Sequence, residues 1–262
     1  PEHLSRTVSS LRSANPKEDF VIFIECSKDW STANNHKKKI IYSLASMRQF
    51  AADLVKEGFK VEYLKIEDKK NSGILELELE LAVKKTGCEK VVITKPGNYK
   101  TAKRLRELSQ RLSVEIKLLE DDRFLCDEKS FNFYAKDKNN LRMEFFYRNM
   151  RKKFGILMES GKPVGGKWNL DAENRKFPRG GIESIPRVQH AQDQITKGVI
   201  RLVKKSFAKN FGDAEDFNFA VTRTEAVAVL EHFIQNCLPS FGDYQDAMLA
   251  GENEMFHSQI GL

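Results

Sequence analysis

The chain has 262 residues, of which 40% are hydrophobic and 31% charged, and it carries a formal net charge of +7. This length is enough for one large domain or two small ones with a buried core. No apolar run approaches the roughly 18 residues that cross a bilayer, and the first residues lack a charged-then-apolar signal pattern, which excludes membrane-spanning and secreted proteins. We therefore expect a cytoplasmic protein.

The excess of positive charge has two explanations. Lysines and arginines that neutralise phosphates release condensed counterions, so this charge favours a polyanionic partner such as DNA. The same residues spread evenly over helical surfaces would provide solubility alone. Composition does not choose between the two.

The four cysteines are widely separated and include no Cys-x-x-Cys pair. They are Cys26, Cys88, Cys126 and Cys237. Isolated cysteines in a reducing compartment are usually small buried apolar residues. Since no histidine stands near them at ligand spacing, we expect no metal site in this chain.

The first half of the sequence alternates strand and helix patterns. Residues 20–25, FVIFIE, form an apolar run typical of a buried parallel strand, and residues 26–35 read as a polar loop. Residues 36–56 keep helical spacing of their apolar positions, with Gly58 as a stop signal. Residues 60–66, KVEYLKI, alternate polar and apolar positions and predict a strand.

Residues 74–83, ILELELELAV, satisfy two patterns at once. Leucine and glutamate alternate with a period of two, which is typical of a strand. Both are nevertheless strong helix formers, and β-branched residues are scarce. Because connections between parallel strands are nearly always helical, we predict a helix here.

The alternation then continues. Residues 90–94, KVVIT, predict a strand, residues 99–112 a basic amphipathic helix, and residues 114–118 another strand. Strands and helices in regular order predict an α/β fold with a doubly wound, Rossmann-like parallel sheet.

Ligands of doubly wound sheets bind beyond the carboxyl ends of the strands. Here these ends lead into loops 25–34, 95–98 and 120–123, which either form a pocket that holds a flat heteroaromatic ligand or consist of solvated loop residues. The helix after the first loop opens with HKKK at residues 36–39, although positive charge is unfavourable at a helix start. The run indicates either an anionic ligand or a solvated charge cluster.

The densest cluster of aromatic, basic and glycine residues lies at residues 141–175. With Asn139 or Asn140 as the cap, it begins with a helix that has one apolar stripe. The stripe comprises Met143, Phe146, Tyr147, Met150 and Phe154. The basic residues on the remaining surface are Arg142, Arg148, Arg151 and Lys152. These four either contact DNA phosphates or form an exposed helix face.

A glycine- and proline-rich loop, residues 155–166, follows that helix. Residues 161–167 fit the phosphate-loop pattern G-x-x-x-x-G-K, but the next residue is Trp168, which has no hydroxyl for a magnesium ion. The pattern also follows a helix, whereas a phosphate loop follows a strand. It therefore does not indicate an NTPase.

The last third of the sequence reads as helix. Residues 199–207 and 222–237 predict amphipathic helices, and Thr222 with Glu225 forms a capping box. No strand pattern follows residue 119. The predicted parts are an α/β domain at 1–135, a connecting helix and linker at 136–192, and the start of an all-α domain at 193–262.

The stretch LRMEFFYRNMRKKFGILM, followed by GKPVGGKWNLDAENR, resembles the signature of the deoxyribodipyrimidine photolyase-related proteins. This is the branch of bacterial cryptochromes and (6-4) photolyases that carries an iron–sulfur cluster. Further matches are HKKKIIYSLASMRQFA at 36–51, TKPGNYK at 94–100, EDDRFL at 120–125 and FGDYQDAML at 241–249. The resemblance covers nearly the whole chain, but family members are roughly twice as long. They also begin with one more strand, which we expect to be missing from this sequence.

The resemblance implies a fragment of a flavoprotein that repairs ultraviolet lesions in DNA, (6-4) photoproducts in particular. Repair would use electron transfer from excited reduced FAD. The full-length protein would then be a DNA photolyase, and this fragment would be inactive alone. Two alternatives stay open: a blue-light photoreceptor of the cryptochrome type, and a non-catalytic nucleic-acid-binding protein that lacks the cofactor domain. The absence of hydrolytic motifs agrees with light-driven chemistry, in which the protein mainly binds and orients a cofactor.

The family also implies an antenna chromophore, a ribityl-lumazine, at the carboxyl edge of the sheet. By position, Ile24, Asp29 and Ser43 correspond to its contacts, although their residue types differ from those usual in the family.

Tyr244, His257 and Ser258 resemble the entry to the FAD site, where hydroxyls and backbone amides contact the phosphates. The rest of the flavin pocket and the ligands of the 4Fe-4S cluster belong to the C-terminal part of the family. We therefore expect weak or no FAD binding by this chain and no cluster in it. As a partner the resemblance implies DNA, and we expect a monomer that does not bind membranes.

Overall fold

The computed structural model describes residues 3–32, 34–174, 176–177 and 185–251, without the side chains of residues 29, 31 and 32. The chain divides into two compact units. The first comprises Pro1–Asp122 and Gln189–Glu225, and the second comprises Arg123–Val188 and Ala226–Leu262.

Strands and helices alternate up to residue 119, and mainly helices follow. The strands are β1 (Phe20–Ile24), β2 (Lys60–Leu64), β3 (Lys90–Thr94), β4 (Glu115–Leu119), β5 (Met158–Glu159) and β6 (Lys162–Pro163). The helices are α1 (Ser9–Arg12), α2 (Ser27–Thr32), α3 (Lys37–Lys56), α4 (Leu75–Thr86), α5 (Tyr99–Ser109), α6 (Glu128–Ala135), α7 (Met143–Phe154), α8 (Gln194–Ser206), α9 (Arg223–His232) and α10 (Leu238–Tyr244). A π-helical turn, Phe233–Cys237, joins α9 to α10.

The first four strands form two parallel pairs. β1 pairs with β2, and β3 pairs with β4 with Lys90 opposite Glu115 and Thr94 opposite Leu119. The predicted α/β class and the prediction of two neighbouring parallel strands between residues 90 and 118 are confirmed. Among the described residues the pairs form separate two-stranded sheets. A single doubly wound sheet is therefore not shown.

The segment with the conflicting pattern is helix α4, as predicted. Leu79 and Val83, four residues apart, are 4% and 5% exposed, whereas Leu77 and Leu81 are 45% and 55% exposed. Burial thus follows helical spacing rather than alternation. Gly87 ends the helix in the left-handed conformation with φ of 62°.

The main core of the first unit lies between α3 and α8. Val199 and Val203 of α8 pack in one cluster with Ile41 and Leu44 of α3 and with Phe217, which is 1% exposed. The sequence pattern indicated an amphipathic α8 but not its partner. The helix supplies the apolar layer that covers α3.

Two expectations for this part of the chain were wrong. Residues 27–32, predicted as loop, form α2. Only Cys237 is buried, while Cys26, Cys88 and Cys126 are half-buried. These three lie between elements, whereas Cys237 lies within a helical turn.

Helix α7 has the predicted residues but not the predicted cap or burial. Arg142 occupies the cap position without a side-chain cap bond, so the expectation of Asn139 or Asn140 was wrong. Of the expected stripe, Phe146 packs against Phe131 and Tyr134 of α6, with ring centres 5.4 and 5.1 Å apart. The other residues of the expected stripe are not all buried. Met150 is half-buried, while Met143, Tyr147 and Phe154 are 77%, 47% and 42% exposed.

The loop after α7 forms a short antiparallel hairpin of β5 and β6, with Met158 opposite Pro163. Ser160 and Gly161 at its tip have φ of 47° and 76°, as two-residue hairpin turns require. The expectation that no strand follows residue 119 was therefore wrong. The residues that imitate a phosphate loop begin at this hairpin tip.

The capping box before α9 is confirmed. The Glu225 amide donates to Thr222 Oγ1 at 3.3 Å, and the Thr222 amide donates to the Glu225 carboxylate at 3.1 Å. The predicted helix 222–237 divides after His232, and the π-helical turn begins at Phe233.

Candidate functional site

A buried carboxylate, Glu25, lies directly after β1 and is 1% exposed. Arg48 donates to its two oxygens at 2.7 and 2.9 Å. The Tyr63 hydroxyl and the Ile66 amide donate to the same carboxylate, each at 2.8 Å. Arg48 also bonds to Glu67 at 2.7 Å. A carboxylate removed from water is tolerated when it is paired and hydrogen-bonded in this way.

This network shifts the pKa values of Arg48 and Tyr63. Burial alone lowers the pKa of Arg48, but the hydrogen bonds and charges of Glu25 and Glu67 outweigh burial and raise the pKa. Burial, followed by the charge of Glu25, raises the pKa of Tyr63 well above its usual range. Arg48 therefore stays charged and Tyr63 neutral at neutral pH. Neither group is suited to proton transfer, so the network acts to hold the strand ends together.

The loop between β2 and α4 closes the same edge. The Asn71 side-chain amide donates to the carbonyl oxygens of Glu25 and Lys65 at 3.0 Å each, and its oxygen accepts from the Gly73 amide at 2.8 Å. Gly73 has φ of 72°, and a Cβ there would lie 2.2 Å from Ser27 Oγ. At the edge beside β1, where a ligand was predicted, the Asn71 side chain thus bonds to the backbone of the same chain. The carboxylate at the end of an apolar strand, FVIFIE, is the sequence signal that could have indicated this network.

The residues predicted to contact an antenna chromophore lie in three elements. Ile24 is half-buried at the end of β1, and Ser43 is 4% exposed in α3. Asp29 lies in α2, with its side chain outside the described part of the chain.

At the ends of β3 and β4, the predicted ligand loops meet residues 3–12. Thr94, 2% exposed, accepts a hydrogen bond from the Ser10 amide at 3.1 Å. Beyond β4, Asp122 pairs with Arg12. This edge is therefore also in contact with the chain itself.

The charged start of α3 has partners within the chain. The His36 Nδ1 accepts from the Lys38 amide at 3.0 Å, and the Lys37 amide donates to the Phe211 carbonyl oxygen at 3.0 Å. The Lys38 ammonium pairs with Asp216 at 2.6 Å. These contacts favour a charge cluster over an anionic ligand as the explanation of the HKKK run.

Three of the four basic residues predicted to contact DNA surround one tryptophan ring. Arg148, Arg151 and Lys152 place their charged groups 5.5, 5.3 and 5.4 Å from the ring centre of Trp168. Cations within about 6 Å of an aromatic face are attracted by the ring. The fourth residue, Arg142, is exposed at the start of α7.

The cations around this ring differ in exposure. Arg151 is 7% exposed, and its guanidinium donates to the carbonyl oxygens of Ile156, at 3.1 Å, and Leu157. Arg148 is half-buried and pairs with Glu144. Lys152 and Arg142 are exposed. The structure thus separates cations that hold the loop after α7 from cations that face solvent.

Tyr244, predicted at the FAD entry, ends α10 and packs against the buried Phe233 and Cys237. The other two predicted residues, His257 and Ser258, lie outside the described residues. Of this predicted set, the structure therefore describes the tyrosine alone.

A contact that the sequence did not indicate lies next to this tyrosine. The Lys176 amide donates to the Asp243 carbonyl oxygen at 3.1 Å, and the two side chains pair at 2.7 Å. This side-chain bond raises the pKa of Lys176. The paired residues are 67 positions apart in the sequence, and a periodic sequence pattern does not predict a contact over that separation.

Within the ranges that the structure describes, no group of three histidine, cysteine or acidic side chains is placed to hold a metal ion. No helix within these described ranges has the length and hydropathy needed to span a membrane.

The fold and these sites define an α/β protein in which parallel strands are followed by a basic, aromatic-rich helix and further helices. The chain belongs to the deoxyribodipyrimidine photo-lyase-related proteins, a family that it matches over residues 1–219. The resemblance carried by the motif at residues 141–175 is thereby confirmed.

Two relatives extend this result. The chain is 37% identical to a (6-4) photolyase of Agrobacterium fabrum over 261 residues, which is 100% of this chain and 52% of the relative. It is 31% identical to the uncharacterized protein R852 of Acanthamoeba polyphaga mimivirus over 142 residues, or 53% of this chain and 70% of that protein. The chain thus spans about half the length of the Agrobacterium protein.

Proposed function

We propose that this chain forms the antenna-type domain and the first helices of a photolyase-type flavoprotein. Such a protein would repair ultraviolet lesions in DNA, (6-4) photoproducts in particular, by light-driven electron transfer from reduced FAD. The observation that carries the proposal is 37% identity to a (6-4) photolyase over essentially the whole chain.

The proposed DNA contact is the exposed part of the basic cluster on α7. Arg142 and Lys152 face solvent and can approach phosphates. Arg151 instead bonds to the loop after α7, and both Arg148 and Arg151 contact the ring of Trp168. Phosphate contacts position a protein on DNA without reading its sequence. This suits an enzyme that must find a lesion in any sequence.

The proposed FAD contacts are Tyr244, His257 and Ser258. Tyr244 fits such a role because its ring is anchored in an apolar cluster at a helix end. FAD supplies the photochemistry when bound, and these residues would only hold it. The 4Fe-4S cluster is proposed to lie in the part of a longer protein that this chain does not include.

A ribityl-lumazine antenna at Ile24, Asp29 and Ser43 remains our proposal for the carboxyl edge of the strands. The residue types at these three positions differ from those usual in the family, and Ser43 is 4% exposed. We therefore expect it to be weakly retained or replaced by another pigment.

We also propose that the two strand pairs are halves of one doubly wound sheet. The side chains of Ile22 in β1, Ile93 in β3 and Leu118 in β4 pack around one cluster with Leu105 and Leu108. Parallel strands that share one helical layer normally share one sheet. The predicted domains at residues 1–135, 136–192 and 193–262 belong to this proposal.

An absorption spectrum of the product of the complete gene tests the flavin claim. We expect a flavin spectrum, and FAD among the small molecules released on denaturation, whereas the 262-residue chain should retain little FAD. A flavin-free product of the complete gene that binds DNA in a salt-dependent way would instead support the non-catalytic DNA-binding alternative.

A further inference from the structure

Helix α8 carries charge of one sign. Its sequence, QITKGVIRLVKKS, contains four basic residues and no acidic residue. Three of the four, Lys197, Arg201 and Lys205, are four positions apart and exposed. Residues at this spacing are neighbours on one side of a helix, so the three form a single row, which we call the basic stripe. With a rise of about 1.5 Å per residue, the row is about 12 Å long.

The charges of the basic stripe are not neutralised within the described part of the chain. No carboxylate among the described residues pairs with any of the three, whereas the remaining cation of the helix, Lys204, pairs with Glu215 at 2.6 Å. Like charges four positions apart repel each other, so the row costs stability. Lysines scattered over a surface would provide solubility without this cost. The stripe therefore indicates an external polyanion rather than solubility alone.

A glycine beside the basic stripe leaves room for a close approach. Gly198 lies between Lys197 and Arg201 in the sequence, and a Cβ added there would lie 4.0 Å from Arg201 Nη2. Glycine is unfavourable inside a helix, and it is used where a ligand must approach the backbone closely. The guanidinium thus lies beside a stretch of helix without a side chain, where a phosphate can reach it.

The apolar side of α8 is buried in the core. Val199 and Val203 are 0% exposed and pack in one cluster with Ile41 and Leu44 of α3. A helix that lies on a membrane must insert its apolar side among the lipids, and α8 has committed that side to α3. A partner can therefore reach α8 only through its charges. The phosphates of a nucleic-acid backbone fit such a row, because they present regularly spaced negative charges that lysine and arginine neutralise.

We propose that the basic stripe binds the phosphate backbone of duplex DNA and is a second DNA-contacting surface, in the first unit of the chain. This rests on the proposed function in one respect, because that function makes DNA the polyanion that the protein meets. It goes beyond the contact proposed on α7, since it assigns three residues of the other unit to the same partner. Lys209 is not part of the stripe, because the helix ends before it at Phe207, which departs from helical conformation with φ of −121° and ψ of 34°.

The test compares salt-dependent binding of undamaged duplex DNA by three forms of the 262-residue chain, in the dark and without flavin. One is the parent chain. The stripe variant carries Lys197→Gln, Arg201→Gln and Lys205→Gln. The control variant removes the same charge from three separate exposed positions of the first unit and carries Lys69→Gln, Lys84→Gln and Arg106→Gln.

Each phosphate contact contributes about 0.9 to the slope of log K against log salt, so the loss of three contacts should reduce the slope by about 2.7 in the stripe variant. The control variant should keep the slope of the parent, because its three positions do not form a row. Fluorescence anisotropy of a labelled duplex measures binding at each salt concentration.

Equal slopes for the stripe and control variants would overturn the proposal, as would a parent chain that does not bind duplex DNA at low salt. Circular dichroism checks the fold, and if the stripe variant is unfolded, Arg201→Gln alone should reduce the slope by about 0.9. Loss of binding to phosphatidylserine vesicles in the stripe variant, with unchanged DNA binding, would overturn the proposal in favour of a membrane surface.

Lesion repair is measured separately, so the two claims can fail independently. DNA binding through the stripe without repair would support this proposal while contradicting the repair function. Repair by a protein whose stripe variant keeps the parent slope would do the reverse.

Discussion

Arg151 donates from Nε to the carbonyl oxygen of Ile156 at 3.1 Å, across the glycine that ends α7. This bond gives the arginine a structural role within the basic cluster on α7. The following residue, Leu157, has φ of 50°, a conformation that non-glycine residues rarely adopt, and its carbonyl oxygen is held by the same guanidinium. The neighbouring Lys152 has no comparable role in the hairpin.

We predict that Arg151→Ala lowers the free energy of unfolding by about 2–3 kcal/mol. The variant removes two charge-assisted bonds and leaves two carbonyl groups without their donor. Lys152→Ala should change it by less than about 0.5 kcal/mol, as an exposed substitution does. Urea denaturation measures both, and equal losses would contradict the separate roles of the two residues.

Lys152→Ala should instead weaken binding to duplex DNA. Loss of one phosphate contact reduces the slope of log K against log salt by about 0.9. Fluorescence anisotropy across a range of salt concentrations measures this slope. Lys209→Ala, which removes an equally exposed lysine from the first unit, should leave the slope unchanged if the DNA contact is on α7. Equal slopes for the parent protein and both variants would show that α7 is not part of the DNA interface.

Arg48→Met should destabilise the first unit by about 3–5 kcal/mol. It leaves the carboxylate of Glu25 buried without its counter-charge, which costs more than the pair contributes when intact. Glu67→Gln removes the other, 44% exposed partner of Arg48 and should cost about 0–1 kcal/mol. Thermal denaturation compares the two, and a smaller loss in the arginine variant would show that Glu25 is not the centre of the network.

Acid sensitivity should depend on Glu76. Its hydrogen bond from Arg104, opposed by burial, lowers its pKa below the usual 4.5. A carboxyl group with a lowered pKa in the folded protein contributes stability above its unfolded pKa and loses it as the pH falls through the folded pKa. Glu76→Gln should therefore lose less stability than the parent below about pH 4.5. Glu107→Gln, whose exposed carboxylate lies 3.8 Å from Lys103, serves as the control and should follow the parent.

Alanine substitutions at two glycines distinguish the cost of backbone strain from the cost of a steric collision. Gly58 and Gly212 have φ of 90° and 85°, but only Gly212 faces a side chain, with a Cβ position 2.0 Å from His36 Nε2. Gly58→Ala should cost about 1–2 kcal/mol. Gly212→Ala should cost at least about 1 kcal/mol more, because the ring at the start of α3 must move. Similar losses of stability in the two variants would mean that the loop at Gly212 can accommodate the added methyl group without strain.

Local patterns predicted most of the elements in this chain. Strand β3 was predicted residue for residue, and α4 was correct because helix propensity and the parallel neighbours outweighed alternation. Contacts over long sequence distances were not predicted. The packing of Val203 on Leu44 and the pairing of Lys176 with Asp243 arise only when the chain is folded, and no periodicity encodes them.

The errors at α7 have the same origin. Tyr147 and Phe154 follow helical spacing and yet are exposed, because spacing defines a face but not what covers it. In the basic cluster, the pattern grouped Arg151 with Lys152. The sequence pattern does not show that Arg151 bonds to carbonyl groups while Lys152 is exposed to solvent.

Repair of a defined lesion tests the central claim most directly. The product of the complete gene, with its flavin reduced, is mixed with an oligonucleotide that contains one (6-4) photoproduct and is illuminated with blue light or kept dark. We predict that the original bases are restored in the light and not in the dark. Flavin-bound protein that leaves the lesion unchanged in the light would contradict the repair function.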